Sequence, residues 1–174
     1  MTANVITGFA VVFGDETVIG GEFRERIARG AFTRTLKERP DVLMLLDHDS
    51  GRVLGRTGAG GTLWLQENSA GLYFSLKVDP TTPEGQTALG TVGRQDVRGC
   101  SFGFRVRAER WDDGGDRLPL RTITDVDLHE LTLTAFPAYP TTTAALRSTA
   151  HTNSEAAQRR IAARREAMRV RGML

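Results

Sequence analysis

Apolar and polar residues alternate with a period of two in several stretches of the chain, the spacing of strands in a sheet. The clearest stretch is 62–79, where two apolar runs flank a turn at 68–71 and the second run alternates strictly, which predicts a β-hairpin. A glycine-rich connection is predicted at 53–61, immediately before this hairpin. Similar patterns predict further extended segments at 5–13, 17–27, 41–50, 98–111 and 121–136.

Two stretches carry the signals of helices instead. In 29–40, apolar residues lie four apart and Pro40 ends the segment. In 80–99, Thr82 is placed to cap a helix whose first position is Pro83, a residue favoured there. Both segments are therefore predicted to be short helices within a strand-rich chain.

Together these elements predict a single domain of the β-rich α+β class. With 174 residues, of which 40% are hydrophobic, the chain can bury one core. From residue 149 the composition changes to Ser, Thr, Ala, Arg and Glu with few apolar positions. The predicted organisation is a domain at 1–148 followed by a basic, helix-prone or disordered tail at 149–174.

Charge is distributed unevenly along the chain. The net charge is +2, but residues 151–174 hold six arginines against two glutamates, which leaves a net charge of −2 for the rest. The body therefore lacks the general basic face that nucleic-acid binding needs, and nucleic acid is an unexpected partner.

No apolar run approaches a membrane span, and no signal peptide is evident at the N-terminus. The single cysteine, Cys100, forms no internal disulfide, which fits a reducing cytosol.

Ser101 and His48 are the first candidates for chemistry. By strand parity Ser101 lies on the face opposite Phe102, with small residues on either side at Gly99 and Gly103. It is either a solvent-side serine or a nucleophile. His48 follows a nearly continuous apolar run and precedes glycines. It is either a strand-end histidine satisfied by the backbone or a general base opened to a cleft.

Parity also separates the adjacent pair His129 and Glu130, since only one of them can face a site. Strict alternation places Glu130 on the face of Leu128, where a carboxylate costs free energy unless it is paired. The structural interpretation of Glu130 is an ion pair with Arg105 or Arg107. The functional interpretation is a group that orients an imidazole.

A metal hydrolase is the alternative chemistry for the same residues. Its ligands would come from Asp47, His48 and Asp49 together with His129 and Glu130. Neighbouring residues on a strand point in opposite directions, so neither local group presents two adjacent ligands to one ion. No metal and no cofactor is therefore expected.

An ordered series of short motifs carries a resemblance over roughly residues 6–148. It runs "GFAVVFG", "FRERIARGAF", "LLDHD" followed by "LGR", "GLYFSLKVD", "GCSFGF" and "LHELTLTAFPAYPTT". The series resembles the prohead (capsid maturation) proteases of tailed bacteriophages, serine proteases related in fold to the herpesvirus assemblins. One departure is Thr132, where members of the family often have serine.

The resemblance implies a partly closed β-barrel of about seven strands with surrounding helices. It implies that Ser101 is the nucleophile, His48 the general base and Glu130 the third member of a triad. It does not identify the donors of an oxyanion hole, for which backbone N–H groups near 136–140 or around Ser101, or Arg105, are candidates.

The same resemblance implies the partners and the location. The substrates would be the major capsid protein with its scaffolding segment and the protease itself, cut inside the assembling prohead in the bacterial cytoplasm. A homodimer is possible and no membrane is involved. The basic tail would be a removable segment or a docking handle, or a solvated helix without a role. The alternative function is a non-catalytic capsid-assembly or scaffold component on a protease-like fold.

Overall fold

A computed structural model describes residues 4–38 and 41–146 of the chain. The predicted tail at 149–174, with His151, and the predicted helix stop at Pro40 lie outside the described residues. In the described part, ten strands and two helices follow in this order: β1 Val5–Val12, β2 Thr17–Ile19, β3 Phe23–Ile27, α1 Thr33–Lys37, β4 Leu43–Leu46, β5 Asp49–Arg56, β6 Leu63–Glu67, β7 Gly71–Lys77, α2 Pro83–Gly93, β8 Gly99–Asp112, β9 Leu120–Thr134 and β10 Ala145–Leu146.

The strands form two sheets around one core. A four-stranded sheet has the order β10-β1-β7-β6, and a six-stranded sheet has the order β2-β3-β9-β4-β5 with β8 paired to β9. One cluster of buried side chains joins the two sheets and includes members of β1, β4, β7 and β9. Ile6, Met44, Phe74 and Leu131 are among those with no exposed surface.

Strand β9 organises the larger sheet, because it is paired along both of its edges. On one edge β8 runs antiparallel to it over nearly its whole length. On the other edge β3 pairs in parallel with residues 120–123, and β4 pairs in parallel with residues 130–133. The carboxyl ends of β4 and β9 therefore lie side by side, which determines where the β4–β5 turn meets β9.

The gap between β3 and β4 on this edge is filled by the α1 segment. The N–H of Val126 donates to the carbonyl of Ala31 at 3.2 Å, and the N–H of Leu128 donates to Thr35 Oγ1 at 3.2 Å. Arg34 bonds both Asp125 and Asp127. Backbone groups of β9 that lack a neighbouring strand thus find partners in α1 and in Ala31 just before it, as buried polar groups require.

Residues 141–144 lie between β1 and β8 and bond to both sides. The N–H of Thr143 donates to the carbonyl of Phe9 at 2.9 Å, and the N–H of Ala144 donates to the carbonyl of Arg98 at 2.9 Å. Since this segment occupies the seam, β1 and β8 form no ladder with each other. Neither sheet of the described residues closes on itself, so the predicted barrel of about seven strands is not confirmed.

Several local predictions are confirmed. The hairpin predicted at 62–79 is formed by β6 and β7. Helix α2 begins where expected, with the Thr82 side chain accepting the N–H of Gly85 and Pro83 in the first turn. It ends at Gly93, and Gly99 begins β8.

The region after the first helix was predicted wrongly. The range 41–50 is not one strand, because the chain reverses at Asp47 and His48 and returns as β5. Residues 53–56 of the predicted glycine-rich connection at 53–61 belong to β5, the second strand of that hairpin. Within β5, Gly55 leaves space for the Thr62 and Leu76 side chains, since a Cβ there would lie 2.4 Å and 2.7 Å from them.

None of the helices in residues 4–38 and 41–146 is long and apolar enough to cross a bilayer.

Replacement of Gly8 by alanine tests the seam between β1 and residues 141–144. A Cβ at Gly8 would lie 1.8 Å from the Thr143 carbonyl oxygen, a backbone atom that cannot rotate away. We expect Gly8→Ala to lower the free energy of unfolding by at least about 1–3 kcal/mol, measured by urea denaturation. The control is Gly90→Ala within α2, where the nearest atom is 3.6 Å away and a stabilisation of up to about 1 kcal/mol is expected. Equal stability of the two variants would contradict the close packing of β1 against residues 141–144.

Candidate active site

Asp47 and His48 form the two-residue turn between β4 and β5, with Leu46 paired to Asp49 across it. Both turn residues have positive φ, 56° and 58°, as in a type I′ hairpin turn. This conformation costs about 1–2 kcal/mol per residue for side chains other than glycine. Asp and His tolerate it better than most residues. Such strain persists only where the surroundings hold it, and it is concentrated at functional sites.

Three hydrogen bonds to β9 hold this turn. The N–H of Asp47 donates to the carbonyl of Leu133 at 3.0 Å, which continues the parallel ladder by one residue. The hydroxyl of Thr134 donates to Asp47 Oδ1 at 2.8 Å. The N–H of His48 donates to Thr132 Oγ1 at 2.8 Å. The turn is therefore fixed at its backbone and at one side chain.

The imidazole of His48 contacts a carboxylate of the same strand. His48 Nδ1 lies 2.8 Å from Glu130 Oε1, with the histidine side chain 49% exposed and the glutamate side chain 17% exposed. An ionised carboxylate only accepts hydrogen bonds, so Nδ1 carries the proton and the lone pair of a neutral ring is at Nε2. The other carboxylate oxygen, Oε2, is buried and has no hydrogen-bond partner within the described part of the chain.

Ser101 lies on β8 directly opposite Thr132 of β9. Side chains of directly opposed residues project from the same face of a sheet. Two residues further along, Gly103 is opposite Glu130 on that same face. Ser101 is itself 6% exposed. The predicted parity of Ser101 is thus seen, and its face carries Thr132 and Glu130.

The absence of a side chain at Gly103 provides room for the carboxylate. A Cβ at this position would lie 2.6 Å from Glu130 Oε1 and 2.9 Å from its Cγ. Gly99 has a different neighbour, since its Cβ would lie 2.5 Å from the Pro137 ring. The two glycines that flank Ser101 therefore make space for the protein's own side chains.

A β-bulge at His129 corrects the parity predicted for β9. Gly103 pairs with Glu130 but Phe104 pairs with Leu128, so His129 is skipped in the ladder. Beyond the bulge the alternation is shifted by one residue. Leu128 and Leu131 are consequently both buried, His129 is exposed, and Glu130 does not share the face of Leu128 as predicted.

The structural interpretation of Glu130, an ion pair with Arg105 or Arg107, is wrong. Arg107 pairs instead with Asp127, with 2.5 Å between Nε and Oδ2. Arg105 is exposed, and within the described ranges neither arginine forms an ion pair with Glu130. The carboxylate is thus directed to His48.

The structure brings His48 and Glu130 into contact, and it places Ser101 beside the residue that His48 contacts. Thr132 is the common neighbour, opposed to Ser101 across the ladder and bonded to the N–H of His48. The hydrogen bonds formed in residues 4–38 and 41–146 do not include one between the Ser101 hydroxyl and the His48 ring. Ser101 and the His48 ring are therefore brought to one region but not joined.

Two of the candidate oxyanion donors are already used. The N–H of Cys100 donates to Thr142 Oγ1 at 3.2 Å, and the N–H of Phe136 donates to Thr134 Oγ1 at 3.3 Å. These two backbone groups are therefore engaged within the protein and are poorly placed to receive a substrate oxygen.

Cys100, the neighbour of Ser101, faces the opposite way. Its side chain is completely buried in the core between the sheets. Burial raises the pKa of the Cys100 thiol well above its usual range, and the negative charge of Glu130 adds to the effect. Since only the thiolate is an effective nucleophile, we expect Cys100 to be unreactive in the folded protein.

The histidines, cysteines and carboxylates of the described residues form no group of three or more arranged to hold a metal ion.

From the sequence, no role in supporting His48 or Glu130 was assigned to Asp47, Thr132, Thr134 or Gly103, which complete the site. A signal for the turn was present, since Asp and His between an apolar run and a second extended segment suit two left-handed positions. The roles of the two threonines depend on β4 pairing with β9, which no local pattern reveals.

Comparison with protein families matches residues 1–156 to the family described as caudovirus prohead serine protease. Comparison with curated proteins finds no match. Among solved structures, the protease of varicella-zoster virus is similar with 11% identity and a TM-score of 0.43, covering 80% of this chain and 62% of that one. The KSHV protease, in complex with a hexapeptide phosphonate inhibitor, has 12% identity, a TM-score of 0.42, and coverages of 80% and 63%. The chain thus spans slightly less than two thirds of the length of either protease.

Alkylation of the single cysteine tests the register of β8. Each unit by which a pKa is raised removes about nine tenths of the thiolate at a given pH below it. We therefore expect iodoacetamide at pH 8 to modify Cys100 more than about tenfold more slowly in the folded protein than in urea, measured by mass spectrometry. Equal rates in the two states would show that Cys100, rather than Ser101, faces outward.

Proposed function

Because the chain belongs to the caudovirus prohead serine protease family, we propose that it is a serine endopeptidase with the triad Ser101, His48 and Glu130. The observation that carries the triad is the 2.8 Å contact between His48 Nδ1 and Glu130 Oε1. It occurs on the sheet face to which Ser101 also belongs. A carboxylate that orients an imidazole beside a serine is the arrangement that activates a hydroxyl.

The acylation step uses the free nitrogen of the ring. As Ser101 Oγ attacks the carbonyl carbon of the scissile peptide, its proton passes to His48 Nε2. Glu130 stabilises the imidazolium that forms and keeps the ring in the tautomer that accepts at Nε2. The tetrahedral intermediate then expels the amine, which takes the proton from Nε2, and an acyl ester on Ser101 remains.

Deacylation repeats the sequence with water. His48 accepts a proton from water as the oxygen attacks the ester carbon, and it returns that proton to Ser101 Oγ as the ester bond breaks. The products are a carboxylic acid and the regenerated enzyme. Because the unliganded ring and hydroxyl are not bonded, substrate binding must draw them together, as is common for catalytic hydrogen bonds. The half-exposed ring of His48 is open to such a substrate.

The proposed substrates are the major capsid protein with its scaffolding segment and the protease itself. Cleavage would take place inside the assembling prohead, in the cytoplasm of the bacterial host. The basic tail at 149–174 would then be a removable segment, since segments rich in small and charged residues are readily cut. A homodimer is compatible with this function.

Substitution of Ser101 is the direct test. We expect Ser101→Ala and His48→Ala to lower the rate of cleavage by at least about 1000-fold when the protein is expressed with the capsid precursor of the same phage, measured by gel densitometry. A fluorophosphonate probe should label the wild type on Ser101 and leave Ser101→Ala unlabelled. The matched control is Ser75→Ala on β7, in the other sheet, which should behave as the wild type.

Two results would contradict the proposal. Undiminished processing by Ser101→Ala would remove Ser101 from the role of nucleophile. A folded wild type that neither cleaves a capsid precursor nor reacts with the probe would favour the alternative function, a non-catalytic component of capsid assembly.

Gly103→Ala separates the position of the carboxylate from its chemistry. The added Cβ displaces the flexible Glu130 side chain, so that the fold survives while the contact with His48 is lost. We expect Gly103→Ala to slow fluorophosphonate labelling by about 100-fold, because misplacement by about 1 Å has such an effect. The unfolding temperature should change little.

A double-variant cycle provides the control for this prediction. If Gly103→Ala acts through Glu130, it should add little to the loss already caused by Glu130→Gln. Gly90→Ala, a glycine replacement on α2, should leave labelling unchanged. Full additivity of Gly103→Ala and Glu130→Gln would show that Gly103 acts in another way.

A further inference from the structure

Thr132 is completely buried in the middle of the site, and neither a catalytic nor a binding role has been given to it so far. It is opposed to Ser101 on β8 and, through its hydroxyl, bonded to the N–H of His48 at 2.8 Å. We propose that Thr132 is a positioning residue, whose hydroxyl fixes the backbone of the β4–β5 turn and so holds the His48 imidazole between Glu130 and Ser101. This inference rests on the proposed function.

The first step concerns the backbone at His48. Its φ of 58° is a conformation that a histidine keeps only when its surroundings enforce it. The ladder between β4 and β9 ends with the bond from the N–H of Asp47 to Leu133, so the ladder does not fix the next residue. The bond from the N–H of His48 to Thr132 is the contact that extends the restraint to His48 itself.

The second step concerns the rigidity of the acceptor. Thr132 is on a strand paired on both edges, with Ser101 on one side and Leu45 on the other. As a β-branched residue with no exposed surface it has little rotational freedom. A hydroxyl held in this way is a fixed acceptor. It therefore fixes the position of His48 relative to β9, the strand that is paired with Ser101.

The third step separates Thr132 from its neighbour Thr134. Thr134 donates to the Asp47 carboxylate and also accepts the N–H of Phe136, so it supports the turn one residue away from His48. Only Thr132 bonds the backbone of His48 directly, among the hydrogen bonds of the described ranges. Loss of the Thr132 hydroxyl should therefore have the larger effect on the imidazole.

The test compares three variants of the full chain by the second-order rate of Ser101 labelling with a fluorophosphonate probe. Thr132→Val keeps the shape and removes the hydroxyl, and we expect labelling to be about 100-fold slower. Thr132→Ser keeps the hydroxyl and should restore most of the rate. The matched control is Thr122→Val, another buried threonine of β9, whose hydroxyl accepts a bond from Arg26 at 3.0 Å. It should label as fast as the wild type.

The outcomes distinguish this inference from the proposed function. If the wild type is labelled at Ser101 and His48→Ala is not, but Thr132→Val equals the wild type, the positioning role fails and the peptidase stands. Failure of Thr132→Ser to restore the rate would assign the effect to packing and also overturn the inference. A wild type that resists the probe would overturn both.

A second measurement covers the case in which Thr132→Val does not fold. Hydrogen exchange in the wild type should show a protected amide at His48, although the residue lies in an exposed turn. Free exchange of that amide would show that the bond to Thr132 is absent, and the inference would be wrong. Thermal unfolding of Thr132→Val beside Thr122→Val shows whether any loss of labelling exceeds a common loss of stability.

Discussion

The pairing of β9 with β8 on one edge and β4 on the other is the constraint on which the site depends. The antiparallel ladder fixes which residues of β8 are opposed to Thr132 and Glu130. The parallel ladder brings the end of β4 to the same place and lets the following turn fold over β9. Two segments far apart in sequence, β8 and the β4–β5 turn, are therefore positioned by one strand, and the rigidity of that strand is shared by both.

The bulge at His129 resolves a conflict between the core and the site. The core requires Leu128 and Leu131, which are three residues apart, to be buried on the same side. Strict alternation would put one of them outside. The skipped residue corrects the alternation, and it leaves Glu130 facing Gly103 and His48. The Glu130 carboxylate is thus placed next to core leucines and beside His48 without entering the core, where its charge would be costly.

Local patterns were sufficient for the elements whose signals are local. The hairpin of β6 and β7 and the cap of α2 followed from turn and capping residues. Non-local features could not be derived in this way. The bulge at His129 depends on which residues of β8 pair with this part of β9. The open seam between β1 and β8 depends on residues 141–144, which lie more than 130 positions away from Gly8. His48, Ser101 and Glu130 were named from residue type and resemblance, whereas the threonines around them needed the strand order.

The register of β8 decides which of two adjacent side chains, the Cys100 thiol or the Ser101 hydroxyl, faces the site. A slip by one residue would exchange every side chain between the two faces, so Cys100 would take the place of Ser101. The slip is opposed at several points along the strand. The N–H of Cys100 is bonded to Thr142, the ring of Pro137 lies against Gly99, and the Glu130 carboxylate occupies the space that only Gly103 leaves open. The slipped strand would bring side chains to the two glycine positions, into space already filled, and it would expose a thiol that burial now keeps protonated. The same contacts that keep the thiol in the core therefore keep the hydroxyl on the face of His48, so that packing selects which of the two side chains lies there.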